Sequence, residues 1–176
     1  MTTEASVPPD PADPDADPES VARTIALRML ERQPRTRLEL ERAMARRDVP
    51  PDVAAAVLDR FTEVGLIDDQ AFAQAWVDSR HRGRGLARRA LSAELRRRGV
   101  GESVLAEAVA TVSDDDEHAA ARALVERKLR TMSSQPRDVQ MRRLVGMLGR
   151  KGFSSGLAMR VVRDVLENLV DHVHSP

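Results

Sequence analysis

The chain has 176 residues, no cysteine, only 2% aromatic residues and a formal net charge of zero. This length accommodates one or two compact domains, or several small modules with a shared core. The absence of cysteine excludes disulfides, thiolate metal sites and a cysteine nucleophile. The neutral balance hides an asymmetry: residues 1–20 hold Glu4, Asp10, Asp13, Asp15, Asp17 and Glu19 and no base, leaving 28 basic against 22 acidic side chains beyond them, a net +6.

Residues 1–19 combine these acids with Pro8, Pro9, Pro11, Pro14 and Pro18 and offer almost nothing to bury, so they are expected to be a disordered tail. No basic segment leads into an apolar run and no stretch is long enough to span a bilayer, which points to a cytoplasmic protein without a membrane role. From Ser20 onward, apolar residues recur three and four apart and aromatic/β-branched alternation is missing, the pattern of an all-α fold. A first repeat, 20–67, contains a capping box at Thr36 and Glu39 and a helix opened by Pro50-Pro51. A second, 68–113, starts at Asp68-Asp69, carries Phe72, Ala73, Trp76 and Val77 on one stripe, and has a middle helix stopped by Gly99. In a third, 114–172, the first helix is expected from about Asp115 to Met132, longer than its counterparts, and Gly152 stops the middle helix. Residues 173–176 form a disordered end.

Aligning the chain with itself at offsets of 51 and 53 superposes these repeats. Leu40, Leu91 and Leu144 coincide, as do Met44, Leu95 and Leu148 one turn later. Val49, Val100 and Phe153 mark a turn, followed by Val53/Val104/Leu157, Val57/Ala108/Val161 and Phe61/Val112/Val165 on a further helix. The expected fold is three tandem three-helix repeats in an elongated, curved, right-handed-type array. Its core holds Leu40, Met44, Val57, Phe61, Phe72, Trp76, Leu91, Leu95, Leu144, Leu148, Phe153 and Val161. An extended array with no exposed apolar stripe is expected to be a monomer.

No nucleophile, base and orienting group form a recognisable set, so the chain reads as a binding protein rather than an enzyme, with no catalytic residue and no cofactor. His81 lies in a basic run, His118 near a helix start, and His172 and His174 in a tail at a spacing that points them apart, so no metal site is assigned. The acids Asp114 to Glu117 are accounted for by the dipole of the helix they begin. Gly83-Arg84-Gly85 and Gly146 to Gly152 lack the strand-then-helix context and the Lys-Ser/Thr pair of a phosphate-cradling loop.

The basic residues carry more. Arg80, Arg82, Arg84, Arg88, Arg89, Arg96, Arg97 and Arg98 are opposed within their span by Glu94 alone, a net +7 over nineteen residues. With Leu91 and Leu95 turned inward, Arg89, Arg96 and Arg97 project outward while Arg88 and Arg98 flank the core. The pairs Arg46-Arg47, Arg97-Arg98 and Arg150-Lys151 share one register at the ends of the middle helices, where the helix dipole alone also favours cations. With Arg142 and Arg143 these residues define a candidate basic face for a polyanion or an acidic protein surface. Of the 28 bases 26 are Arg, a preference that suits bidentate phosphate or carboxylate contacts and equally follows from a GC-rich genome.

Four groups of residues stand out in order along the chain: Leu38-Glu39-Leu40; Gly65-Leu66-Ile67-Asp68-Asp69 with Phe72-Ala73 and Trp76-Val77; Gly85, Glu94-Leu95 and Gly99-Val100; and Leu148-Gly149-Arg150-Lys151-Gly152-Phe153-Ser154. Together they resemble the RecX regulators of the RecA recombinase. The resemblance spans residues 20–170. It departs in the acidic, proline-rich extension and in Leu148-Gly149-Arg150-Lys151, where Arg-Gly is commoner before the Phe. It implies a tandem three-helix-repeat protein that binds the RecA–DNA filament along its groove and inhibits its ATPase, strand-exchange and co-protease activities, modulating recombinational repair and the SOS response. DNA itself would be bound weakly or through the filament. The alternative is a stand-alone basic DNA-binding helical module, since three-helix units with basic helices also read the major groove.

Overall fold

A computed structural model describes residues 17–173, with side chains to Asn168, and is helical in nine segments with no strand among those residues. Most of the expected acidic tail, the terminal residues 174–176 and the side chain of His172 lie outside the described residues. The helices are α1 (Pro18–Leu30), α2 (Arg37–Ala45), α3 (Pro51–Glu63), α4 (Asp69–Arg84), α5 (Arg88–Arg97), α6 (Glu102–Ala110), α7 (Asp114–Leu129), α8 (Arg137–Arg150) and α9 (Ser155–Val173). Three per repeat follow the sequence periodicity.

Three boundaries differ from expectation, one of them Val173, which closes α9 rather than opening a disordered end. Pro18 and Glu19 belong to α1 rather than to the tail, because Asp17 caps the helix by accepting the Ser20 N–H at 3.0 Å. The first helix of the third repeat is not the longest of its kind: α4 and α7 both have 16 residues. α7 stops at Leu129, where the Met132 N–H turns back to the Leu129 carbonyl at 2.9 Å.

The helix starts follow from local chemistry. Thr36 and Glu39 exchange the two hydrogen bonds of a capping box, and Ser113 with Asp116 does the same for α7. Asp68 accepts the Ala71 N–H at 2.8 Å, and Pro51 opens α3, where an amide donor is not needed. The turn after each middle helix repeats too: Asp48, Gly99 and Gly152 occupy one register position and have φ of 57°, 81° and 92°. Asp is among the few residues other than glycine that accept this left-handed geometry.

Contacts divide the chain into two compact units that do not coincide with the repeats. Of the described residues, unit 1 comprises those up to Ala73 together with Arg97–Gly101, and unit 2 comprises Gln74–Arg96 and those from Glu102 onward. Unit 1 is built on Leu40, Met44, Val49, Val57, Leu58, Phe61 and Ile67. Unit 2 is built on Leu124, Val125, Leu144, Leu148, Phe153, Val161 and Val162. All the expected core residues are buried except Trp76, which is half-buried.

Candidate functional site

Each unit contains one junction in which the turn after a middle helix seats on the start of the preceding middle helix. In unit 1 the fully buried Thr36 hydroxyl donates to the Arg98 carbonyl at 2.6 Å, and Arg98 pairs with the Glu39 carboxylate. In unit 2 the Ala87 N–H donates to the Lys151 carbonyl at 3.0 Å, and the Lys151 ammonium donates to the Arg84 carbonyl at 2.5 Å. Thr36 and Ala87, and Arg98 and Lys151, are register equivalents. Glycine permits the approach: a Cβ on Gly152 would lie 2.6 Å from the Ala90 nitrogen.

The expected arginine face separates into two groups. Some cations are bound within the fold. Arg80 is half-buried, its guanidinium 4.1 Å above the Trp76 ring and its Nε 3.9 Å from Glu94, while the indole N–H donates to Glu94 at 2.9 Å. Trp76 is thus a bridge between arginine and carboxylate at the edge of the core. Arg88 pairs with Asp114 and, at 3.0 Å, with Glu117, whose other oxygen accepts the Arg88 backbone N–H at 2.7 Å and so caps α5. These contacts raise the Arg88 pKa above its ordinary value. Arg96 makes a bidentate pair with Glu102 at 2.5 and 3.0 Å, and Arg82 reaches Asp78 at 3.5 Å. Glu94 is therefore not alone in opposing the run: its counter-ions come from Asp78, Glu102, Asp114 and Glu117 in unit 2 and from Glu39 in unit 1. The acids at the start of α7 do more than answer a helix dipole.

The remaining candidates are Arg46, Arg47, Arg84, Arg89, Arg97, Arg142, Arg143 and Arg150. All are exposed, and none has a carboxylate partner among the described residues. Arg46, Arg47 and Arg97 lie in unit 1 and the others in unit 2.

Unit 2 also holds an open cleft of about 760 Å³, walled by Val77, Val112 and Leu124 and edged by Arg84, Arg127, Asp78 and Asp116. Sequence reasoning missed Arg127, which has no motif around it. Asp116 is held below the usual carboxylate range by its hydrogen bonds to Ser113. His81 lies on the same cleft with Nδ1 2.9 Å from the Leu86 carbonyl, and His118 is exposed on α7. Among the described residues no three His, Asp or Glu side chains come together as a metal site, and no helix is long and apolar enough to cross a membrane.

Comparison with known proteins matches the chain to family models described as the first, second and third three-helix domains of RecX, over residues 22–61, 68–109 and 114–162. The chain belongs to the RecX family. It is 58% identical over 146 residues to Regulatory protein RecX of Thermobifida fusca, covering 83% of this chain and 79% of that one. To Regulatory protein RecX of Streptomyces coelicolor it is 54% identical over 155 residues, covering 88% and 82%. The fold also resembles the crystal structure of RecX from Lactobacillus salivarius, with a TM-score of 0.75 at 20% identity over 84% of this chain and 96% of that one. The RecX assignment makes this a regulatory protein of all-helical, three-repeat construction.

Proposed function

We propose that this RecX-family chain binds the RecA–DNA filament and inhibits the ATPase, strand-exchange and co-protease activities of RecA, acting as a cytoplasmic, non-enzymatic monomer. The observation that carries the reading is the set of exposed arginines without a carboxylate partner among the described residues: Arg46, Arg47 and Arg97 in unit 1, and Arg84, Arg89, Arg142, Arg143 and Arg150 in unit 2. A solvated arginine that the fold does not use is free for phosphate or carboxylate on a partner. The half-buried paired arginines, Arg80 and Arg88, belong to the scaffold that presents them, and Arg82 and Arg96 are occupied in surface pairs.

The test is RecA's DNA-dependent ATPase titrated with this protein, with its binding to DNA alone measured beside it. Substoichiometric inhibition is the expected result, because one bound molecule would affect several filament protomers. Unchanged ATPase together with tight, steeply salt-dependent binding to naked DNA contradicts the reading and favours a stand-alone DNA-binding module.

A further inference from the structure

The two junctions described above are alike in backbone and unlike in charge. In unit 1 the cation after the middle helix, Arg98, has Glu39 as its counter-ion. In unit 2 the equivalent cation is Lys151, and the position equivalent to Glu39 is Ala90. The repeat therefore supplies a carboxylate at one junction and withholds it at the other. The Lys151 ammonium instead donates to the Arg84 carbonyl at 2.5 Å, beside the cleft that Arg84 and Arg127 edge. None of these three side chains has a carboxylate partner among the described residues. Of the two acids on the cleft, Asp78 reaches Arg82 at 3.5 Å, while Asp116 is held ionised by Ser113 and leaves one carboxylate against the three cations. Burial first, and then the Arg127 and Arg84 charges, push the Lys151 ammonium below its ordinary 10.5. Such a grouping is unfavourable until an anion joins it.

We propose that Arg84, Arg127 and Lys151 form a seat for one phosphate group of a polynucleotide backbone. Two guanidinium forks and an ammonium match a phosphate's several acceptor oxygens. The cleft has no indole or phenyl ring, and its one ring, the His81 imidazole, is tied to the Leu86 carbonyl at 2.9 Å, so recognition falls on the phosphate and is indifferent to sequence. The choice of a polynucleotide over a free phosphate rests on the filament reading above, while the seat itself does not require RecA.

The chain has two lysines, Lys128 and Lys151, so lysine-selective ¹³Cε labelling gives two NMR signals, one of them at the seat. Adding a short single-stranded oligothymidylate without RecA is expected to shift the Lys151 signal and raise its titration midpoint while moving Lys128 far less. Arg127→Gln is expected to weaken oligonucleotide binding about fivefold and to lower the slope of log affinity against log salt by about 0.7, the loss of one single-strand phosphate contact. Absence of oligonucleotide binding, or binding that leaves Lys151 unmoved, overturns the proposal. An equal Lys151 shift with inorganic phosphate at matched phosphate concentration overturns the polynucleotide assignment. Because RecA is absent throughout, failure of filament inhibition would leave this result standing, and failure here would leave that inhibition untouched.

Discussion

A methyl group at Gly152 would meet the Ala90 backbone, not a flexible side-chain end, and it would do so at φ +92°. Gly152→Ala is therefore expected to destabilise the protein by about 2–4 kcal/mol, combining left-handed strain with overpacking. Gly65, also at positive φ but facing open space, should cost only about 1 kcal/mol when changed to Ala. Urea denaturation of both variants checks this, and equal losses would contradict the close seat at Ala90. The sequence showed Gly152 as a helix stop through its register with Gly99. It did not show that the glycine is also a contact. The same limit applied to the arginines: outward and flanking positions on α5 follow from its heptad-like pattern, but the partner of Arg98 lies 59 residues away and those of Arg88 lie 26 and 29 away. Helical periodicity tells which side faces out and carries no information on which distant acid comes to meet it.

Helix ends show the same division. The local helix starts at Thr36 and Pro51 were legible, because their determinants are three residues apart or within one ring. Capping from another helix was not. Asp69, at the start of α4, accepts the Arg37 N–H at the start of α2 at 3.0 Å, and Glu117 of α7 does likewise for α5. Asp69 pays for this with burial, which raises its pKa above the ordinary 3.8 despite the stabilising Arg37 hydrogen bond. A carboxyl whose pKa is higher in the folded state binds protons more tightly there. Its stabilising contribution is present below 3.8 and is lost as the pH rises through the folded value. Asp69→Asn retains the acceptor and removes the charge. Its stability relative to wild type is thus expected to increase as the pH rises from 3.8 through the carboxylate range. Denaturation midpoints measured across that range test this, and a gap that stays constant or shrinks would contradict it.

At the scale of the whole molecule, a net charge of zero is the sum of unlike parts: six acids within the first twenty residues, and beyond them a surplus of cations only some of which are matched by neighbours. The three-repeat helical construction was legible in the offsets of 51 and 53. The division into two units was not, because it cuts through α4 between Ala73 and Gln74 and follows packing that apolar periodicity does not encode. The central claim is that unpaired arginines face the partner while paired ones are occupied within the chain. It is tested most directly by comparing the RecA-inhibitory potency of Arg142→Glu/Arg143→Glu, two exposed arginines on α8 without carboxylate partners among the described residues, with that of Arg122→Gln, whose guanidinium is paired to Glu126 at 2.8 Å. With wild-type helicity verified for each, the account predicts that the double reversal raises the half-inhibitory concentration at least about fivefold while Arg122→Gln leaves it unchanged. A folded double variant that inhibits RecA as the wild type does would contradict it.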